Sequence, residues 1–269
     1  MAQKTASKEQ KVQWQKLIET ALTLEGSIGN TYNRFYDYSY MNQIMLMWQG
    51  VFEPIATYKR WQSLGRQVKK GSTAKEIVRP IMRYLTDEEK KKLNIDTRDK
   101  VTNVVGFKPL KCVFKLSDTD GKDLLEVKIP DWDLKLALKT LDIKEIPFKQ
   151  LNGNVQGYST SNTYAINPVA SDVTGTTMHE LAHIVLGHTS KDNIHEYAEH
   201  RGVQEFQAEV TSFLLMNELA MIDDKKASQS RAYIQDWLAG QKPDDKAIRQ
   251  VFTAVNKILK AGKEPVEKK

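Results

Sequence analysis

Residues 179–183 read His-Glu-Leu-Ala-His, and the residues around them call for a helix. Thr176, Thr177 and Met178 lead in, Ile184, Val185 and Leu186 continue an apolar turn, and Gly187 supplies a helix stop. Asp172 is placed to cap the start. On a helix, positions i and i+4 share a face, so His179 and His183 can present both imidazoles to one metal ion. Glu180 stands beside them, where a carboxylate can act as a general base toward water. A buried helix with two satisfied histidines is the competing reading, and the flanking pattern favours the metal.

Catalytic zinc takes three protein ligands and keeps one position open, so a further donor is needed. The metzincin spacing H-E-x-x-H-x-x-G-x-x-H fails, because Gly187 lies four residues beyond His183 and His188 five. A later helical segment, Gly202 to Leu215, offers Glu205 and Glu209 at i and i+4, with Phe206, Val210, Phe213 and Leu214 as its apolar stripe. We expect Glu205 as the third ligand, with Glu209 orienting a ligand histidine from behind. The reverse assignment of the two glutamates stays open. His188, His195, Glu196, Glu199 and His200 fall in a polar stretch that reads as loop and are weaker candidates. For an oxyanion stabiliser, Tyr158, Tyr164, Tyr197 and Tyr233 are all possible and none is spaced diagnostically.

Charge is divided unevenly along the 269 residues. Residues 1–115 hold 21 Lys and Arg against 11 Asp and Glu; residues 116–269 hold 19 against 23, and all five histidines lie between His179 and His200. A basic region beside an acidic, histidine-bearing region implies two domains with different partners, one of them a polyanion. The expected division is 1–125 and 126–269, with a turn at Asp118–Gly121 and Pro130 near the join. No run approaches the roughly 18 apolar residues of a membrane helix, so no membrane partner is expected. Charges at the N-terminus have no apolar core behind them, and a single cysteine, Cys112, sits in an apolar context that suggests a buried thiol. The cytoplasm is the expected compartment.

In the basic region, Lys59, Arg60, Arg66, Lys69, Lys70, Lys75 and Arg79 crowd around an expected helix, turn and strand, where they can neutralise phosphates. Tyr32, Phe35, Tyr36, Tyr38, Tyr40, Tyr58 and Trp61 are interleaved with them, and aromatic faces can stack unpaired bases. For Trp61, and more so Trp48, a place in the core is the stronger expectation. The periodicities predict helices at 8–25, 40–48, 57–64, 131–141, 173–186, 202–219, 228–238 and 244–259, with strands at 76–82 and 104–116 and a hairpin within 157–168. The lysine-rich stretch 86–100 reads as a surface segment without an element of its own.

Several ordered blocks resemble the ArdC-type antirestriction proteins of plasmids and conjugative elements. They are Tyr38-Ser-Tyr-Met-Asn42, Tyr58-Lys-Arg-Trp61 through Gly71, Ile77-Val-Arg-Pro80, Val105-Gly-Phe107-Lys-Pro109, Gly157-Tyr158, Ile166-Asn-Pro168, the histidine motif, the Glu205–Glu209 helix and Tyr233-Ile-Gln-Asp-Trp237. The second half is also similar to the wider ImmA/IrrE-like zincins, although Glu209 stands where those relatives often carry Asn or Asp. The resemblance implies an α+β protein: a small basic domain that binds single-stranded DNA, followed by a mainly helical zincin-like metallopeptidase domain with a small sheet. It implies His179, His183 and Glu205 as ligands of Zn2+, Glu180 as the catalytic residue, an unknown protein substrate, and protection of incoming mobile DNA from restriction. Two alternatives remain: a regulatory metalloprotease that cleaves a repressor, and a DNA-binding protection protein whose metal site is not catalytic.

Overall fold

The computed structural model describes residues 11–23, 38–124, 131–150, 154–190, 194–222, 227–228, 230–232, 234, 240 and 243–264. Helices and small sheets alternate in an α+β fold, as expected. The chain forms two compact units: Met1–Gln13 with Met45–Asp123, and Trp14–Ile44 with Leu124–Lys269.

In the first unit, β1 (Ile55–Thr57), β4 (Thr102–Lys115) and β3 (Lys75–Tyr84) form a sheet in the order β1-β4-β3, while β2 (Arg66–Val68) pairs with β5 (Thr119–Gly121). Helix α3 (Tyr58–Ser63) joins β1 to β2. Thr57 caps it by accepting from the Arg60 amide, and Gly65 turns the chain away at φ +73°. Trp61 is the anchor of this unit: its ring is buried and its indole N–H donates to the Phe114 carbonyl at 2.9 Å. The amide of Gln49, just past α2 (Tyr40–Trp48), exchanges hydrogen bonds with the N–H and C=O of Glu76, extending the start of β3. Segment 86–100 differs from the sequence expectation. It contains α4 (Asp87–Lys92), started by a reciprocal capping box between Thr86 and Glu89, with Glu89 also held by Arg83. Cys112 is half-buried rather than enclosed, and Trp48 is exposed at 37 % rather than placed in the core.

The second unit is built on three long helices, α6 (Val173–Leu186), α7 (Ile194–Glu218) and α8 (Asp245–Ala261), with the shorter α5 (Leu134–Leu141) and α1 (Trp14–Thr23). Its sheet runs β6-β8-β7, with β6 (Lys144–Glu145) parallel to β8 (Thr163–Ile166) and β7 (Gly157–Thr160) antiparallel to it. Helix α8 buries Ile248, Val251, Phe252, Val255, Ile258 and Leu259, each stabilising the fold by roughly 1.5–3 kcal/mol relative to exposure.

Helix α1 belongs to this second unit. Its apolar stripe Trp14, Leu17, Ile18, Ala21 and Leu22 is buried, the Arg249 guanidinium lies over the Trp14 ring, and the Gln15 amide donates to the Pro243 carbonyl. Tyr40 is likewise buried here, its ring against Phe252 and its N–H on the Asn256 side chain. The compact units therefore do not follow a single cut near residue 125. The reason is that α1 has an apolar face to bury and α8 offers the matching one.

Segment 188–200 also differs from expectation. Its polar sequence predicts a loop, but from Ile194 onward it is the opening of a 25-residue α7, and Gly202 lies inside that helix rather than at its start. The side chains of His195, Glu196, Glu199 and His200 lie outside the described set, as do Tyr32, Phe35, Tyr36, Tyr197, Tyr233 and most of the helix expected at 228–238.

Candidate metal centre

Helix α6 carries the motif because both of its ends are fixed. The Asp172 carboxylate accepts from the Gly175 amide, and Gly187 closes the helix in the left-handed region at φ +82°. Gly175 leaves room for this cap, since a Cβ there would lie 2.5 Å from the capping carboxylate oxygen and push it aside. Gly157 serves the same end in the neighbouring layer. A Cβ on it would meet the Thr176 methyl at 2.7 Å, so its absence lets β7 lie close on α6 just before His179.

Three donor atoms converge from α6 and α7. His179 Nε2 and His183 Nε2 are 3.1 Å apart, and Glu205 Oε2 lies 3.5 Å from the first and 3.6 Å from the second. Metal–ligand distances of about 2.0–2.1 Å in a tetrahedron put neighbouring ligand atoms roughly 3.3 Å apart. The triangle therefore fits one small divalent ion with no rearrangement. Among the described residues this trio is the one set of three such donors close enough to do so.

The outward nitrogens of both imidazoles also have partners. Glu209 Oε2 lies 3.3 Å from His179 Nδ1, so of the two glutamates it is Glu205 that faces the triangle and Glu209 that stands behind it. Burial works to depress His179, but the Glu205 and Glu209 carboxylates outweigh it and push its pKa up to about 9. Behind His183, its Nδ1 lies 3.0 Å from His188 Nδ1, and His188 Nε2 lies 3.1 Å from Gln207 Oε1. His188 is buried, contrary to its expected place in a solvated loop, because the left-handed turn at Gly187 folds it back against α6. Its own pKa is pushed down to about 4, by burial first and then by His183.

Glu180 is 8 % exposed and accepts a 2.6 Å hydrogen bond from the Ser159 hydroxyl on β7. It opens with His179 and Glu209 onto a cleft of about 590 Å³ whose walls include Gly157, Thr176, Phe213 and Met216. Of the tyrosines considered as oxyanion stabilisers, Tyr164 is buried and its hydroxyl donates to Glu145 at 3.3 Å, while Tyr158 packs against Phe148. Sequence spacing gives no sign of Ser159 or Gln207 and offers His188 only as a weaker candidate, because their roles depend on long-range approach.

The basic residues named from sequence lie in the first unit and do not behave alike. Arg66 is committed to the fold, its guanidinium donating to the Thr119 hydroxyl and to the carbonyls of Thr119, Gly121 and Lys122. Lys69 pairs with Asp120 at 3.4 Å. Lys59, Arg60, Lys70 and Arg79 are exposed and Lys75 half-exposed, with no ion pair to any of these five among the described residues. Arg79 lies directly opposite Lys108 across the β3–β4 ladder.

Residues 4–113 match the family described as the N-terminal domain of anti-restriction factor ArdC, and residues 162–256 match the zincin-like metallopeptidases. The fold is similar to two crystal structures of the antirestriction protein ArdC from plasmid R388. The metal-free form is 18% identical, covers 93% of this chain and 95% of that one, and has a TM-score of 0.50. The Mn(II)-bound form is 18% identical, covers 93% and 98%, and has a TM-score of 0.53. No curated protein sequence matches the chain. No helix among the described residues is long and apolar enough to cross a membrane.

Proposed function

Since the chain is of the ArdC type, an ArdC N-terminal domain followed by a zincin-like metallopeptidase domain, we propose that it is an antirestriction protein of a mobile element, that its basic region (1–125) binds single-stranded DNA, and that its second region (126–269) is a zinc-dependent peptidase. The observation that carries the enzymatic half is the triangle of His179 Nε2, His183 Nε2 and Glu205 Oε2, with sides of 3.1, 3.5 and 3.6 Å. Two imidazoles and a carboxylate are a donor set suited to zinc, and the relative from R388 carries Mn(II) in one of its structures. When bound, the ion supplies Lewis acidity toward water and the scissile carbonyl.

The protein's own groups divide the remaining work. Glu180, held by Ser159, takes a proton from water and returns it to the departing amine. Glu209 keeps the His179 ring turned so that Nε2 faces the ion. Among the described residues strand β7 pairs with β8 on one side only, which leaves a sheet edge beside α6 that an extended peptide can join through backbone hydrogen bonds.

For the basic region, the support is the placement of Arg79 opposite Lys108. Like charges directly across a ladder are destabilising unless an anion lies over them, and Lys70 and Lys59 add exposed positive charge in the same unit.

Metal analysis of the purified protein should find about one zinc per chain, absent from His179→Ala. Metal-free wild-type protein would sink the peptidase half. Glu180→Gln should retain the metal and lose at least about 100-fold in peptide hydrolysis. If that variant still protects transferred DNA as well as wild type does, protection does not use the peptidase. Replacing Lys70 and Arg79 by Glu should weaken single-strand binding and flatten its salt dependence, by about 0.7 in log–log slope for each phosphate no longer neutralised. An unchanged slope removes these residues from the DNA interface.

A further inference from the structure

Behind the candidate metal centre lies a chain of three buried polar side chains, His183, His188 and Gln207, whose direction is fixed at its far end. We propose that His188 and Gln207 are positioning residues that hold His183 in the one tautomer able to bind a metal through Nε2. The inference rests on the metal-site reading above and goes beyond it, because it concerns how the protein sets a proton that no ligand touches.

The direction follows from the acceptors. The Gln207 side-chain nitrogen lies 3.2 Å from the Ala247 carbonyl oxygen and 2.9 Å from Gln250 Oε1. A backbone carbonyl can only accept, so the amide must present its nitrogen to α8 and its oxygen to His188. That oxygen, 3.1 Å from His188 Nε2, requires a proton on Nε2. A neutral His188 then has a bare lone pair on Nδ1, which lies 3.0 Å from His183 Nδ1. The proton between these two nitrogens must therefore belong to His183. Its Nε2 is left unprotonated, facing His179 Nε2 and Glu205 Oε2.

Burial makes the arrangement obligatory. His183, His188 and Gln207 are each less than 9 % exposed, so a reversed proton anywhere along the chain would bury two donors or two acceptors face to face. The backbone cooperates: with Gly187 in the left-handed region, the His188 N–H donates to the His183 carbonyl at 3.0 Å, which brings the two rings together. Three separate stretches of chain, α6 with its closing turn, α7 and α8, meet to build it.

Long-range proton–nitrogen correlation NMR on the full-length protein, with and without zinc, reads the tautomers directly. The expected result is a proton on Nδ1 of His183 and on Nε2 of His188; a proton on Nδ1 of His188 overturns the proposal. Zinc affinity, measured by competition with a chromophoric chelator, gives the second readout. His188→Leu and Gln207→Leu should each weaken zinc binding by about 10- to 100-fold. His188→Asn, whose Oδ1 can take the place of the accepting nitrogen, should restore most of that affinity. Equal affinities for the Leu and Asn variants, or a Leu variant within about two-fold of wild type, also overturn it. If wild type binds no zinc, the metal reading fails, while the tautomers in the metal-free protein still decide whether the chain runs as described.

Discussion

Two side chains near the site show how burial turns a single partner into a stability term. Glu180 is a nearly enclosed carboxylate, and the Ser159 hydroxyl is aimed at it from 2.6 Å. Hydrogen bonds to charged groups contribute about 1.5–3 kcal/mol, so Ser159→Ala should lower the unfolding free energy by that amount in urea titrations; a change below about 0.5 kcal/mol would mean that Glu180 finds water instead. Tyr164 makes an alkaline prediction. Burial, then the charge of Glu145 and the hydrogen bond to it, raise its pKa to about 12. A folded-state value above the unfolded value of about 10 leaves stability intact below pH 10 and removes it as pH rises from 10 through 12. Tyr164→Phe should therefore flatten the fall in unfolding free energy between about pH 9.5 and 11.5, and identical slopes for the two proteins would refute the assignment. His179, Glu180 and His183 are legible as a group at this scale, since i and i+4 on one helix is a local property, whereas Glu205 reaches them from α7. The burial of His188 is not: the residues that follow it are polar, and only the meeting of α6, α7 and α8 buries it.

Elements are readable where their ends carry chemistry. Asp172 and Gly187 bracket α6, Thr57 starts α3, and Asp244 starts α8, each visible in the sequence and each present as a cap. Reading fails where the apolar pattern is absent. Residues 86–92 are almost all charged, which hides the capping box of Thr86 and Glu89, although Thr-x-x-Glu is written there. The first turns of α7 are polar in the same way, and Gly202 imitates a boundary. Close packing between elements yields a prediction of its own. Gly157→Val would drive side-chain carbon into the Thr176 methyl and toward the Ala165 carbonyl, costing about 1–3 kcal/mol and lifting β7, with Ser159, off α6. Thermal unfolding should show the lower midpoint, and an unchanged midpoint would mean that β7 is free to shift.

At the level of the molecule, charge division and ordered blocks foretell an α+β protein in two regions, but not the way the chain is shared between them. Residues 14–44 complete the helical unit that otherwise begins at Leu124. A fragment spanning 124–269 would thus expose the faces of α8 that Trp14 and Tyr40 help to cover. It should unfold at lower urea than the intact chain and with a broader transition, and adding a peptide of residues 11–44 should restore much of the difference. A fragment as stable as the whole would show that α1 is dispensable.

The same arrangement sets a timetable for synthesis. Gln15 and its partner Pro243 are 228 residues apart. At about 5–20 residues per second, α1 leaves the ribosome roughly 10–50 seconds before its partner helix has been made. Residues 45–123, with every strand of their sheets already present, can fold during that interval. Helix α1, made early, is then among the last to find its place, and while it waits its tryptophan and leucines are the surface a nascent-chain chaperone would hold.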